Sequence, residues 1–254
     1  MNRAIILAAG KGTRLVKGFD FPKPLKRVGG VPLIVRVLRS LERAHVDEVA
    51  IVVGYLGDEL MRGLERYHFR LSLEFIQNDE YDKPNGTSLL KARDFVKGPT
   101  YLMMSDHLWS DELFGRVAAF PLAHDETVLG VDRAIDRCFD LDDATKVRIE
   151  GDRVVEIGKE LTRYDVIDTG VFRITPALIE ALDRADGPEG VSLSQGVGAL
   201  AAAGKMRVAD VGDATWIDVD TPRAHQIAEQ LIKRFGDQLR VPGHLPAAQM
   251  AAGA

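Results

Sequence analysis

A single cysteine, Cys138, excludes an internal disulfide and any zinc site built on cysteines, and it reads as a small packing residue. No apolar stretch approaches the roughly 20 residues of a membrane helix. The apolar run in the opening MNRAIILAAG is too short for a signal peptide. The expectation is a cytoplasmic protein with no membrane segment. Basic blocks are missing too: 33 Lys and Arg stand against 38 Asp and Glu, a net charge of −5, which argues against nucleic acid as a partner. There is no internal repeat. What remains is ordinary for a globular enzyme, 46% apolar and 28% charged over 254 residues, enough for one large α/β domain or two small ones with a substantial core.

Apolar runs alternate with helical spacing through the first half. Ala4 to Ala8 read as a buried strand that stops at a glycine-rich loop, and Leu33, Val37, Leu41 and Ala44 recur on one helical face with Pro32 at the start. Strands over Glu48–Val53, Leu71–Gln77 and Tyr101–Ser105 then alternate with helices near Asp58–Tyr67 and Ser88–Val96. This rhythm predicts an α/β fold, a mostly parallel sheet flanked by helices. After Gly130 the rhythm changes. Lys146–Glu150 and Arg153–Ile157 flank Gly151-Asp152 and predict a small β-hairpin. Val166–Ile174 and Met206–Val211 follow as strands, with helices over Pro176–Asp183, Leu193–Ala203 and Pro222–Phe235. The organisation expected is one domain over 1–238, with halves divided near 130 and a mobile tail over 239–254 rich in Ala, Pro and Gly.

Two nucleotide-binding patterns are absent. In Leu7-Ala8-Ala9-Gly10-Lys11-Gly12-Thr13-Arg14-Leu15, Gly12 stands where a P-loop needs Ser or Thr after Gly-Lys. Leu15 stands where the dinucleotide fingerprint needs its third glycine. The loop still has the elements of an anion site. Glycines allow backbone N–H groups to converge, and Lys11 and Arg14 add positive charge suited to a triphosphate. In Phe21-Pro22-Lys23-Pro24-Leu25 the prolines stiffen the chain around one lysine, which suggests that its position matters, with a solvated loop lysine as the alternative.

LAAGKGTRL followed by Pro-Lys-Pro-Leu resembles the signature of the nucleotide-diphospho-sugar pyrophosphorylase superfamily. The resemblance implies a Rossmann-like nucleotidyltransferase fold in which Leu7 to Thr13 hold the NTP, Arg14 clamps its β/γ end and Lys23 sits at the reacting α-phosphate. It further implies Mg²⁺ on one aspartate after the central strand and another near the end of the chain. Asp106 is the first, at the C-terminal end of a strand, where open α/β sheets bind ligands, and its hard oxygens suit Mg²⁺. Asp218 is the second, with Asp220 in competition because alternation would place both on one face. His107, next to Asp106, is a candidate acid, base or acceptor contact, or a ring merely packed beside the site. Asn85, Gly86 and Thr87 match the region where relatives read the base, although Thr87 or Ser88 is equally a helix N-cap.

Asn85–Leu90, Ser105–His107, Val131–Arg133, Asp143–Val147, Ile157–Lys159, Asp168–Phe172 and Asp218–Pro222 further resemble the CTP:inositol-1-phosphate cytidylyltransferases, over about residues 2–236. That likeness implies CTP as the NTP and a phosphorylated alcohol, inositol 1-phosphate, as acceptor. Lys159 would hold the acceptor phosphate, with Asp168, Gly170 and, less centrally, Asp132 lining the acceptor pocket and the hairpin on the acceptor side. Rival acceptors are a sugar 1-phosphate and phosphocholine, the latter calling for aromatic groups such as Trp109 or Trp216. A non-catalytic nucleotide sensor is disfavoured because Arg14, Lys23 and the aspartates are all present.

Overall fold

A computed structural model gives the architecture; the residues it describes are 2–15 and 21–239. The chain opens with β1 (Arg3–Ala8), the glycine loop and a one-turn 3-10 helix at Lys23–Leu25. A two-stranded ribbon, β2 (Arg27–Val28) and β3 (Val31–Pro32), leads into α1 (Leu33–Arg43), β4 (Glu48–Val53), α2 (Gly57–Leu64), β5 (Ser72–Gln77) and α3 (Asn85–Lys91). Then come β6 (Thr100–Met104), β7 (His107–Trp109), α4 (Asp111–Ala119) and β8 (Thr127–Asp132). The second half holds the hairpin β9 (Lys146–Glu150) and β10 (Arg153–Gly158), then β11 (Val166–Ile174), α5 (Pro176–Ala185) and α6 (Leu193–Ala202). It ends with β12 (Met206–Asp210), β13 (Trp216–Asp218) and α7 (Pro222–Phe235).

Among the described residues nine strands form one sheet in the order β5-β4-β1-β6-β11-β8-β12-β10-β9. The β5, β4, β1 and β6 strands are parallel, as buried βαβ units require. Antiparallel pairing enters at β11, which separates β6 from β8, and β9 returns to pair with the start of β11. The fold is the expected helix-flanked α/β sheet, but the sheet is mixed rather than mostly parallel: parallel on the nucleotide side, with antiparallel pairs around β11 and β10 beyond it. Alternate residues of β1 serve opposite faces. Ile5 and Leu7 join the core under α3, α5 and α6, whereas Ala4, Ile6 and Ala8 join that under α1, α2 and α4. A smaller cluster of Leu33, Leu108, Ile217, Val219 and Leu231 seats α7 against the β7–β13 ribbon.

Several expectations are corrected. Sequence reading assigns no helix or strand to 111–119 or 127–132, yet α4 buries Leu113, Phe114 and Val117 behind the Ser110 cap, and β8 is buried throughout. The helix expected over Ser88–Val96 starts at Asn85 after Pro84 and ends at Lys91, so neither Thr87 nor Ser88 caps it. The tail proposed for 239–254 lies outside the described residues except for Leu239, which is buried beside α7. No helix of the described residues is long and apolar enough to cross a membrane.

Candidate active site

Four parallel strands deliver their C-terminal ends to one edge of the sheet, and the site is built there. The loop after β1 passes over Lys23, and the two fit because Gly12 has φ +60° and no side chain. A Cβ on it would come within 2.5 Å of the Lys23 stem. Lys23 is buried, fixed in its single turn between Pro22 and Pro24. Its ammonium lies 2.6 Å from Asp106 Oδ2 and also contacts Asp220.

Asp106 and Asp218 are brought together by the β7–β13 ribbon. His107 and Asp218 are register partners, and the Val219 N–H donates to the Asp106 carbonyl at 3.0 Å. Asp106 Oδ1 lies 3.0 Å from His107 Nδ1, which is 3.8 Å from Asp218 Oδ1. One ligand atom from each of the three falls within 4.8 Å of the others. Burial opposes charge on every member of this group. For Asp106, Lys23 and His107 outweigh burial and hold the carboxyl well below its usual range. For Asp218, burial, reinforced by the charge of Asp106, pushes the carboxyl up against the pull of His107. His107 is lifted to about 9, because Asp218 and the bond to Asp106 overcome desolvation. Asp218 Oδ1 is buried without a hydrogen-bond partner.

Two chambers meet at this cluster. One encloses about 1070 Å³, counting space open to solvent, and its wall includes Leu7, Ala8, Ala9, Gly10, Gly12 and Thr13. Tyr81, Lys83, Asn85 and Ser88 complete its far side. The other encloses about 1010 Å³ between the β9–β10 hairpin, β11 and α6, with Asp140, Asp143, Lys159, Asp168, Gly170 and Trp216 on its wall. Arg14, Asn85, His107, Asp218 and Asp220 line both. In the second chamber burial lifts Asp168 to about 6, against the Gly170 N–H that donates to it at 2.7 Å. Gly170 takes φ +75°, and a Cβ on it would meet the His107 ring at 2.7 Å.

Four residues assigned from sequence stand elsewhere. Lys11 does not line the first chamber; its ammonium pairs with Asp82 at 2.5 Å beside the Tyr81 ring. Gly86 and Thr87 face away, into the segment before α6. A Cβ on Gly86 would meet the Val191 carbonyl at 2.6 Å, and Thr87 Oγ1 accepts from Val191 N–H at 3.1 Å. Asn85 Oδ1 likewise accepts from Leu193 N–H, so the start of α3 ties the two halves together. Asp132 does not line the acceptor chamber. Its buried carboxylate accepts from Arg137, the Ala134 N–H and the Trp216 indole at 2.8–2.9 Å, and it acts as a post behind the chamber wall. Trp109 is core, whereas Trp216 lies parallel to His107 at 6.4 Å on the chamber wall.

One residue at the centre of the site has no role in the sequence reading. Asp143 accepts from Arg14 Nη1 at 2.6 Å and from Lys159 Nζ at 2.7 Å. Arg14 also reaches Asp220 with its other nitrogen. The only sequence signal was that Asp143 opens one of the motifs shared with the cytidylyltransferases.

Comparison with known proteins adds an independent line. A family described as MobA-like NTP transferase domain matches residues 4–131. A protein of Rubrobacter xylanophilus named bifunctional IPC transferase and DIPP synthase is 36% identical over 90% of this chain and 51% of its own length. One of the same name from Archaeoglobus fulgidus is 35% identical over 87% of this chain and 42% of its own length. The chain therefore spans about half the length of these curated relatives. A solved structure described as the inositol-1-phosphate CTP transferase from T. maritima superposes with a TM-score of 0.79 at 27% identity, covering 96% of this chain and 98% of that one.

Proposed function

The chain belongs to the MobA-like NTP transferase family, and from that membership we propose that it transfers CMP from CTP to inositol 1-phosphate, releasing pyrophosphate and forming CDP-inositol. The observation that carries the reading is the meeting of two chambers at the Lys23–Asp106–Asp218 cluster, one walled by the glycine loop and the other by Lys159 and Asp168. The names of the relatives, bifunctional IPC transferase and DIPP synthase and inositol-1-phosphate CTP transferase, support this choice of substrates.

The acceptor phosphate is already an anion and needs little help from a general base. The difficulty is bringing it to a second anion, so catalysis rests on positioning and charge neutralisation. Glycine-loop N–H groups cradle the triphosphate, Lys23 meets the α-phosphate and Arg14 the β/γ end. Asp106 and Asp218 are the residues that would hold Mg²⁺. Their oxygens are hard donors, and the orphaned Asp218 Oδ1 and the mutual repulsion of the two carboxyls fit a divalent cation between them. Bound there, the ion would supply charge neutralisation at phosphate oxygens and ease the departure of pyrophosphate. Asp220 is engaged by Lys23 and Arg14, which favours Asp218 as the second ligand. In the second chamber Lys159 takes the acceptor phosphate and Asp168 accepts from ring hydroxyls.

Phosphocholine stays as a second reading on one observation: Trp216 shares the acceptor wall with Asp140, Asp143 and Asp168, groups that also suit a quaternary ammonium. A screen of pyrophosphate release, four NTPs against a panel of phosphorylated alcohols, tests the proposal. Turnover with CTP and inositol 1-phosphate is expected. Turnover confined to another pair would overturn it.

A further inference from the structure

Asp143 lies on the wall of the acceptor chamber, one oxygen on Arg14, which lines both chambers, and the other on the acceptor-side Lys159. Two cations, one from each half of the chain, thus converge on a single carboxylate. The placement is built in from both directions. Asp143 and Lys159 flank the open end of the β9–β10 hairpin, whose register pairs Lys146 with Gly158. Lys146 is itself buried, and its ammonium donates to the Lys159 carbonyl at 2.7 Å and reaches that of Ala144 at 3.5 Å, so the chain beside each partner is cross-tied. Arg14 arrives from the other half and is held on its far side by Asp220. Arg14 and Lys159 nevertheless remain 48% and 49% exposed, which leaves each able to meet a phosphate. An ammonium has three donors, and Asp143 uses one.

We propose that Asp143 is a positioning residue that links the two substrate sites, holding Arg14 and Lys159 in fixed relation so that a change at one cation alters phosphate binding at the other. The proposal rests on the proposed function, in which Arg14 meets the nucleotide and Lys159 the acceptor phosphate. Its sign follows from sharing. When Lys159 is removed, Asp143 has Arg14 alone to satisfy and competes harder with a phosphate for it. Without Asp143 that route is gone.

The test is a double-mutant cycle on the full chain, comparing wild type with Asp143→Asn, Asp143→Glu, Lys159→Met and the Asn/Met double variant, with thermal midpoints recorded for each. Calorimetry reads binding of inorganic pyrophosphate with Mg²⁺, and pyrophosphate release reads kcat and KM for both substrates. Lys159→Met should weaken pyrophosphate binding about threefold, a size suited to half-exposed ion pairs, and should have no effect when Asp143 is already Asn. Asp143→Asn should lower kcat/KM for the acceptor about tenfold, with partial rescue by Glu, and the double variant should be no worse than Lys159→Met alone. Effects that simply multiply, or a Lys159→Met shift that persists without Asp143, overturn the proposal. If wild type fails to turn over CTP with inositol 1-phosphate but shows the Asp143-dependent shift, the reaction is wrong and the linkage stands. Turnover without the shift means that the reaction stands and the linkage is wrong. A protein that neither turns over nor binds pyrophosphate loses both.

Discussion

Lys23 Nζ lies 2.6 Å from Asp106 Oδ2 with the lysine side chain only 5% exposed, and the same ammonium contacts Asp220. Stability and chemistry meet in this contact. Lys23→Met leaves two carboxylates facing each other without their shared cation, and breaking a buried pair costs about 3–5 kcal/mol. The thermal midpoint should fall and added Mg²⁺ should recover part of it. Among molecules that stay folded, kcat should drop on the order of 10²-fold. A folded variant with unchanged kcat would leave Lys23 only a loop-positioning part.

Asp106→Asn keeps volume and removes the charge proposed to hold Mg²⁺. Turnover should be nearly abolished while the circular dichroism spectrum stays that of wild type. Normal activity with Mg²⁺ would take Asp106 out of the metal site.

Gly12→Ala places a methyl group where the Lys23 stem runs and forces an L-residue to φ +60°. The backbone alone costs about 1–2 kcal/mol, and displacement of Lys23 should lower kcat/KM by roughly tenfold or more. Wild-type kinetics in this variant would show that the loop yields without disturbing the lysine.

Asp168 carries a predicted pH signature. Burial lifts it from its ordinary 3.8 to about 6 in the folded protein. Below 3.8 both folded and unfolded chains hold the proton. Between 3.8 and about 6 the unfolded chain releases it first, so this group subtracts stability as pH rises through that window and adds no further loss above it. Asp168→Asn keeps an acceptor for the Gly170 N–H and removes the penalty. Urea-unfolding midpoints taken from pH 4 to 7 should therefore decline less in the variant than in wild type. Parallel curves would contradict a buried, reluctantly ionised Asp168.

Much of this site was legible because its signals are local. A strand ending in glycines, a lysine held between prolines and an aspartate at a strand end each give a signal within a few residues, and the family resemblance joins them into one site. What stayed hidden depends on contacts across the chain. Thr87 reads as a base contact or a cap until the helix is seen to start at Asn85 and the Thr87 hydroxyl to accept from Val191 N–H. Asp132 reads as a ligand until Arg137 and Trp216 occupy its oxygens. Asp143 sits far along the chain from Arg14, and no spacing rule connects them. The β8 strand escaped because burial on both faces leaves no alternation to read, and the nine-residue α4 escaped because its apolar face is only Leu113, Phe114 and Val117.

The central claim, cytidylyl transfer to an inositol phosphate, is tested most directly by kcat/KM with CTP and Mg²⁺ for inositol 1-phosphate, glucose 1-phosphate and phosphocholine. A pocket in which Asp168 accepts from ring hydroxyls should penalise acceptors lacking them by about 1–3 kcal/mol for each unpaired group. Inositol 1-phosphate is predicted to lead by at least tenfold, or about 1.4 kcal/mol. A lead of the same size for phosphocholine or the sugar phosphate would contradict the acceptor assignment, and no pyrophosphate release with any of the three would contradict the reaction itself.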